Sequence, residues 1–117
     1  MSRTVFVNGA FLPFDEARIP ITDRGFLFAD GIYEVSAVLN GRLVDNEAHL
    51  TRLDRCLGEI RIRNPHTAAE WTRLMEELVR RNGLVEGLVY MQVTRGAAER
   101  DFAFPKYATP TVVMWPV

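Results

Sequence analysis

The sequence predicts an α+β domain, an antiparallel-rich sheet carrying two amphipathic helices. Three observations point there. Asn-Gly stands twice between short apolar runs, at Asn8-Gly9 and Asn40-Gly41. That dipeptide suits a two-residue hairpin, whose turn residues both need positive φ. Beyond residue 46 the apolar spacing changes from two to three and four, the period of a helix. Strand-like runs then resume near the C-terminal end, so the order is strands, two helices, strands.

Each element has its own local reason. Val5, Phe6 and Val7 precede the first Asn-Gly; Ala10, Phe11 and Leu12 follow it, and Pro13 ends that strand. Residues 20–22 read as extended. Asp23-Arg24-Gly25 reads as a turn or the opening of a helical turn, with Asp23 able to cap free amides. In the strand at 32–39, alternation sends Tyr33, Val35, Ala37 and Leu39 to one face. Ile32, Glu34, Ser36 and Val38 go to the other. Leu50, Leu53, Leu57 and Ile60 mark a helix over 46–60, with Asp45 or Asn46 able to cap it. Thr67 and Glu70 form a capping box for a second helix, with Trp71, Leu74, Leu78 and Val79 as its stripe. Asn82-Gly83 stops it. Residues 88–94 and 111–115 are strands, and 96–110 is a long loop.

Composition excludes several classes of function. The 117 residues carry 14 basic and 15 acidic side chains, a net charge of -1, which argues against a nucleic-acid-binding footprint. Thirteen of the basic residues are Arg, so Lys106 is the single candidate for reactive-lysine chemistry. Cys56 is alone and falls on the apolar side of a helix, where packing is its expected role. One cysteine makes neither an internal disulfide nor a thiolate metal site. His49 and His66 flank different helix starts, so no metal centre is expected. There is no Walker-type loop, dinucleotide fingerprint or Gly-x-Ser-x-Gly elbow. No apolar run approaches the ~18 residues of a membrane span, and no signal peptide is evident. The expectation is therefore a cytoplasmic chain without membrane or nucleic-acid partners.

A polar set remains. Asp23, Arg24 and Gly25 precede the strand bearing Tyr33, Glu34 and Val35. His49 and Arg52 are three apart on one helix face, and Arg95 and Arg100 bracket the start of the long loop. Arginine grips carboxylate or phosphate through paired hydrogen bonds. These residues allow a pocket for a dianionic, carboxylate-bearing ligand. They equally allow a local ion pair, a sheet aromatic and solvated charges.

The run from Asp23 to Glu34, DRGFLFADGIYE, closely resembles the signature D-R-G-x-x-F-x-D-G-x-Y-E of fold-type IV enzymes dependent on pyridoxal phosphate. Three further blocks agree in order and spacing: NEAHLTRL at 46–53, EIRI at 59–62 and QVTRG at 92–96. The resemblance covers essentially the whole chain and is nearest to the D-amino-acid aminotransferases. Branched-chain aminotransferases and aminodeoxychorismate lyases of the same fold are the alternatives, and a non-catalytic binding or assembly domain is a third reading.

The resemblance implies roles. Arg52 matches the arginine that binds the cofactor phosphate. Tyr33 matches a tyrosine holding the substrate carboxylate, Val35 a pocket-lining residue, and Arg100 the loop arginine that binds substrate carboxylate. It implies amino acid and 2-oxo acid substrates, pyridoxal 5'-phosphate as cofactor, and a homodimer in which the loop reaches the partner's site. Two departures stand out. Where the D-amino-acid enzymes have Arg-x-His, this chain has Arg100-Asp101-Phe102, and Phe102 has no donor. The family's cofactor-binding lysine lies in a second, larger domain, whereas Lys106 sits in the substrate loop. Residues 1–117 are thus expected to be the N-terminal small domain, with no catalytic residue of its own and inactive alone. Val112, Val113, Met114 and Trp115 are expected near an exposed edge, where the larger domain packs, and to drive self-association.

Overall fold

The structure is a computed structural model that describes residues 3–117. Strands β1 (Thr4–Val7) and β2 (Ala10–Pro13) pair about Asn8-Gly9, whose φ values are 47° and 93°. Strands β3 (Gly31–Leu39) and β4 (Arg42–Leu43) turn at Asn40-Gly41, with φ of 55° and 71°. Both turns have the left-handed backbone that two-residue hairpins require. The short helix α1 (Arg24–Phe28) occupies the place read as a turn or helix opening. Helices α2 (Asn46–Glu59) and α3 (Ala68–Asn82) follow β4. Strands β5 (Gly87–Thr94) and β6 (Thr111–Pro116) complete an antiparallel sheet of order β2-β1-β6-β5-β3-β4.

One face of the sheet is covered by helices. Phe6, Val38, Met91 and Met114 meet Leu53 and Leu57 of α2 and Trp71, Met75 and Leu78 of α3 in one core. Full burial of each such side chain contributes about 1.5–3 kcal/mol. The end of α3 is tied to β1 by Asn82, which accepts from the Thr4 amide and donates to the Thr4 carbonyl, both at 2.9 Å.

Three expectations change. The β6 strand is not an edge but lies between β1 and β5. Val112 and Met114 are buried under the helices, while Val113 and Trp115 are partly exposed on the opposite face. Two ladders had to form on either side of β6, and local sequence does not encode how many neighbours a strand has. Neither Asp45 nor Asn46 caps α2 through its side chain; Asp45 is left-handed, and Asn46 donates to Thr72 Oγ1 at 2.9 Å. Cys56 is half-buried rather than in the core.

The capping box of α3 forms as read. Glu70 N donates to Thr67 Oγ1 at 3.1 Å, and Thr67 N donates to Glu70 Oε1 at 2.7 Å. Thr67→Ala is expected to cost about 1 kcal/mol in urea unfolding, with Thr67→Ser recovering most of it.

Candidate functional site

Strand β3 sorts the candidate residues by alternation. Tyr33 and Val35 face away from the helices. Glu34, Ser36 and Val38 face toward them, and all three of these are buried. The β4 strand pairs with β3 only at Val38 and Leu39. Among the described residues, the outer edge of β3 therefore has no strand partner from Gly31 to Ser36. That edge divides two sets of functional groups.

On the helix side, Glu34 is 4% exposed and is the centre of a three-residue network. Arg52 of α2 donates to it twice, Nε to Oε2 at 2.7 Å and Nη2 to Oε1 at 2.9 Å. His49 Nδ1 lies 2.8 Å from Oε1. A carboxylate only accepts, so this contact assigns the ring proton to Nδ1. His49 and Arg52 reach one carboxylate because residues three apart share a helix face. Burial pushes the Glu34 carboxyl up, but hydrogen bonds and charge from Arg52 and His49 outweigh it and hold the group below its ordinary value. Glu34 in turn pushes the Arg52 guanidinium up. The Arg52 side chain remains 56% exposed, and its Nη1 donates to no described residue. A guanidinium fixed on one edge and open on the other is a fitting donor for phosphate oxygens.

Where β3 begins, a second ion cluster forms. Asp30 accepts from Arg24 Nε at 2.8 Å and from Arg95 Nε and Nη2 at 2.7 and 3.2 Å. Arg95 also donates to the Ile60 and Arg61 carbonyls at 2.7 and 3.2 Å, joining the sheet to the end of α2. Burial raises the Asp30 carboxyl, but the two arginines overcome this and hold it below its ordinary value. Asp23 is fully buried. It accepts from the Gly25 amide at 2.8 Å, capping α1, and from the Thr111 hydroxyl at 2.6 Å.

The other face of the sheet is an aromatic row. Tyr33 stacks on Tyr90 with centroids 5.6 Å apart, and Tyr90 meets Trp115 edge-on at 6.0 Å. Burial, with Tyr33 alongside, pushes the Tyr90 phenol up, and its hydroxyl donates to Gln92 Oε1 at 3.0 Å. Tyr33 itself is 64% exposed. Arg100 stands in the 96–110 loop with its guanidinium 5.5 Å from the Phe28 ring and 5.1 Å from the Phe102 ring.

Known proteins match this arrangement over nearly the whole chain. The amino-transferase class IV family model matches residues 31–115. The chain belongs to that family. A D-alanine aminotransferase from Staphylococcus epidermidis is 37% identical over 110 residues, covering 94% of this chain and 39% of the relative. The chain thus spans well under half the length of that relative. A 4-amino-4-deoxychorismate lyase from Pseudomonas aeruginosa superposes with a TM-score of 0.74 at 28% identity, covering 97% of this chain and 39% of the lyase. A branched-chain aminotransferase from the archaeon Thermoproteus uzoniensis, solved with norvaline, has a TM-score of 0.87 at 20% identity. The match covers 100% of this chain and 41% of that one, and the likeness shows the fold.

In this class IV aminotransferase chain, the residues singled out from the sequence do not form one contiguous cluster. Tyr33 and Val35 share a face of β3, and Arg52 reaches the opposite face through Glu34. Among the described residues, no hydrogen bond joins Arg100 to Tyr33 or Arg52. Sequence reasoning gave no role to Glu34 or Asp30. Both are acids inside the signature run, one facing the helix that bears His49 and Arg52, the other beside two arginines. A buried acid on the apolar face of a strand was the readable signal for Glu34, because such a group needs a cation.

Proposed function

We propose that this chain supplies cofactor-phosphate and substrate-carboxylate contacts in a pyridoxal-phosphate-dependent aminotransferase. The substrates would be D-amino acids and 2-oxo acids, and the whole enzyme a cytoplasmic homodimer. The observation that carries this reading is the edge of β3 from Gly31 to Ser36, which has no strand partner among the described residues, with Glu34-held Arg52 on one side and Tyr33 and Val35 on the other. The 37% identity to a D-alanine aminotransferase supports the choice of substrate class.

The donor set fits the cofactor. Arg52 offers a guanidinium nitrogen with no partner among the described residues, its orientation set by two bonds to one buried carboxylate. Pyridoxal phosphate would supply the carbonyl that takes up the amino group and the conjugated ring that stabilises charge at the substrate carbon. Arg52 would hold its phosphate. Tyr33 and Arg100 would hold the substrate carboxylate, and Val35 would line the side-chain pocket. Lys106 is a poor candidate for covalent attachment. It lines two cavities, one of about 180 Å³ with Arg61, Arg63 and Arg95 and a wider one of about 1020 Å³ with Arg63 and His66, and Arg52 is part of neither lining. The lysine is therefore assigned to sequence outside these residues.

The test is amino transfer from D-alanine to 2-oxoglutarate. The intact enzyme should turn over, and the 117-residue chain alone should not. Arg52→Met should release the cofactor on dialysis, read by absorbance. Arg100→Met should raise KM for the amino donor by about 10- to 100-fold, the effect of a lost charged hydrogen bond. Strong preference of the intact enzyme for L-valine or L-leucine would replace this reading with the branched-chain one. Turnover by the short chain alone would overturn the assignment of the lysine.

A further inference from the structure

The chemistry proposed for Arg100 depends on where its guanidinium is held, yet the residue stands in a loop with no regular structure. Among the described residues no carboxylate pairs with it, and it donates no side-chain hydrogen bond. The loop around it is nonetheless tied down repeatedly, and by one segment. The Arg24 amide donates to the Gly96 carbonyl at 2.9 Å, Asp23 bridges Ala97, and the Ala98 amide donates to the Thr22 carbonyl at 3.3 Å. Arg24 Nη1 then donates to the Asp101 carbonyl at 2.7 Å, next to Arg100, with a longer contact of 3.5 Å to the Ala103 carbonyl. Asp30 aims the Arg24 side chain by accepting from its Nε at 2.8 Å. The Phe104 ring lies 4.1 Å from the Arg95 guanidinium and 5.6 Å from that of Arg24.

We infer that α1 is the platform that positions Arg100. Arg24 fixes the backbone just after it, and the Phe28 and Phe102 rings together form a bracket against one side of its guanidinium. The two rings are 5.7 Å apart, and both lie within cation–π range of Arg100. A ring face attracts the cation without acting as a hydrogen-bond acceptor of the carboxylate kind, so among the described residues no acceptor competes with a ligand for its donors. A carboxylate partner inside the protein would have competed with a substrate carboxylate for them. The bracket also gives Phe102 a role. Where the resembling enzymes have a histidine donor, this chain has a ring that steadies the neighbouring arginine. Phe102 is 77% exposed, too open for the fold to depend on its burial. Carboxylate recognition at this point then rests on one arginine, set beside an apolar surface.

The inference rests on the assignment of Arg100 to substrate carboxylate, and two measurements separate them. The first uses the 117-residue chain with no substrate: water exchange of the Arg100 Nε–H, read by nitrogen-15 NMR. Phe102→Ala and Phe28→Leu should each speed exchange about two- to fivefold, the Boltzmann factor of one exposed cation–π contact, and the double variant roughly tenfold. Phe102→Tyr, which keeps the ring, should match the parent. Thermal midpoints taken in parallel should not move for the Phe102 variants. Exchange in the double variant within about 1.5-fold of the parent, well under one such contact, would overturn the bracket. The second measurement uses the intact enzyme, where Phe102→Ala should raise KM for the amino donor with kcat held. Faster exchange with unchanged KM would leave the bracket standing but overturn its role in presenting Arg100 to substrate, whereas unchanged KM in Arg100→Met would remove Arg100 from carboxylate binding.

Discussion

Replacing Asp30 with Asn will destabilise the chain by about 3–5 kcal/mol, the usual cost of removing one partner from a buried ion pair. The carboxylate is one acceptor shared by two cations that are themselves nearly buried. Asn keeps the shape but removes the charge, and its amide N–H groups face guanidinium donors that cannot accept. Arg95 retains the Ile60 and Arg61 carbonyls and Arg24 retains the Asp101 carbonyl, which places the loss toward the lower end of that range. Urea unfolding of the purified chain measures it, and a loss below about 1 kcal/mol would show the cluster to be solvated like a surface pair.

The same cluster sets a pH dependence. Asp30 and Glu34 titrate in the folded chain below their ordinary values of 3.8 and 4.5. On acidification the unfolded chain therefore takes up protons first. The stability these groups contribute is complete above their unfolded values and disappears as pH falls through the folded ones. The urea midpoint should fall as the pH drops below 4.5. In Asp30→Asn the fall should be shallower, because one of the two groups no longer titrates.

Both long-range clusters explain what the sequence did and did not make legible. Local signals carried well. Asn-Gly turns, the alternation of Tyr33 and Val35 against Glu34, and the Thr67–Glu70 box each depend on residues within four positions. The structure has them as read. Arg95 and Asp30 are 65 positions apart, and Thr111 and Asp23 are 88 apart. Those pairs exist only because β5 returns beside β3 and β6 closes the middle of the sheet. Periodicity has no information about which strand lies next to which, and so it could not place β6 away from an edge. The resemblance narrowed the candidates to Arg52, Tyr33, Val35 and Arg100. It did not reveal that an acid positions one arginine and two adjacent rings support the other. Those partners are set by side-chain packing, and a motif records residue types without their contacts.

Gly96→Ala is the other change with a large expected effect, about 3 kcal/mol or more, from backbone strain and overpacking together. Gly96 has φ of 109°, outside the range a residue with a Cβ adopts readily. A Cβ there would stand 2.1 Å from the Thr109 carbonyl oxygen. Backbone cannot swing aside as a side chain could, and Gly96 is tied on both sides. Its amide donates to Thr94 Oγ1 at 3.1 Å, and its carbonyl accepts from Arg24. Relief of the clash must therefore move either the root of the loop or α1. Hydrogen exchange at the Arg24 amide should rise by more than the global loss of stability explains, because its acceptor is the carbonyl of the substituted residue. Gly58→Ala supplies the contrast. Gly58 is exposed on α2, and a Cβ there meets nothing within 4 Å. That substitution should stabilise the chain by about 0.4–1 kcal/mol through the unfolded state. Opposite signs for one chemical change would place the cost at Gly96 in the junction between α1 and the loop. Equal and small effects would mean that the junction yields freely, and the loop would then have no fixed platform from which to present Arg100.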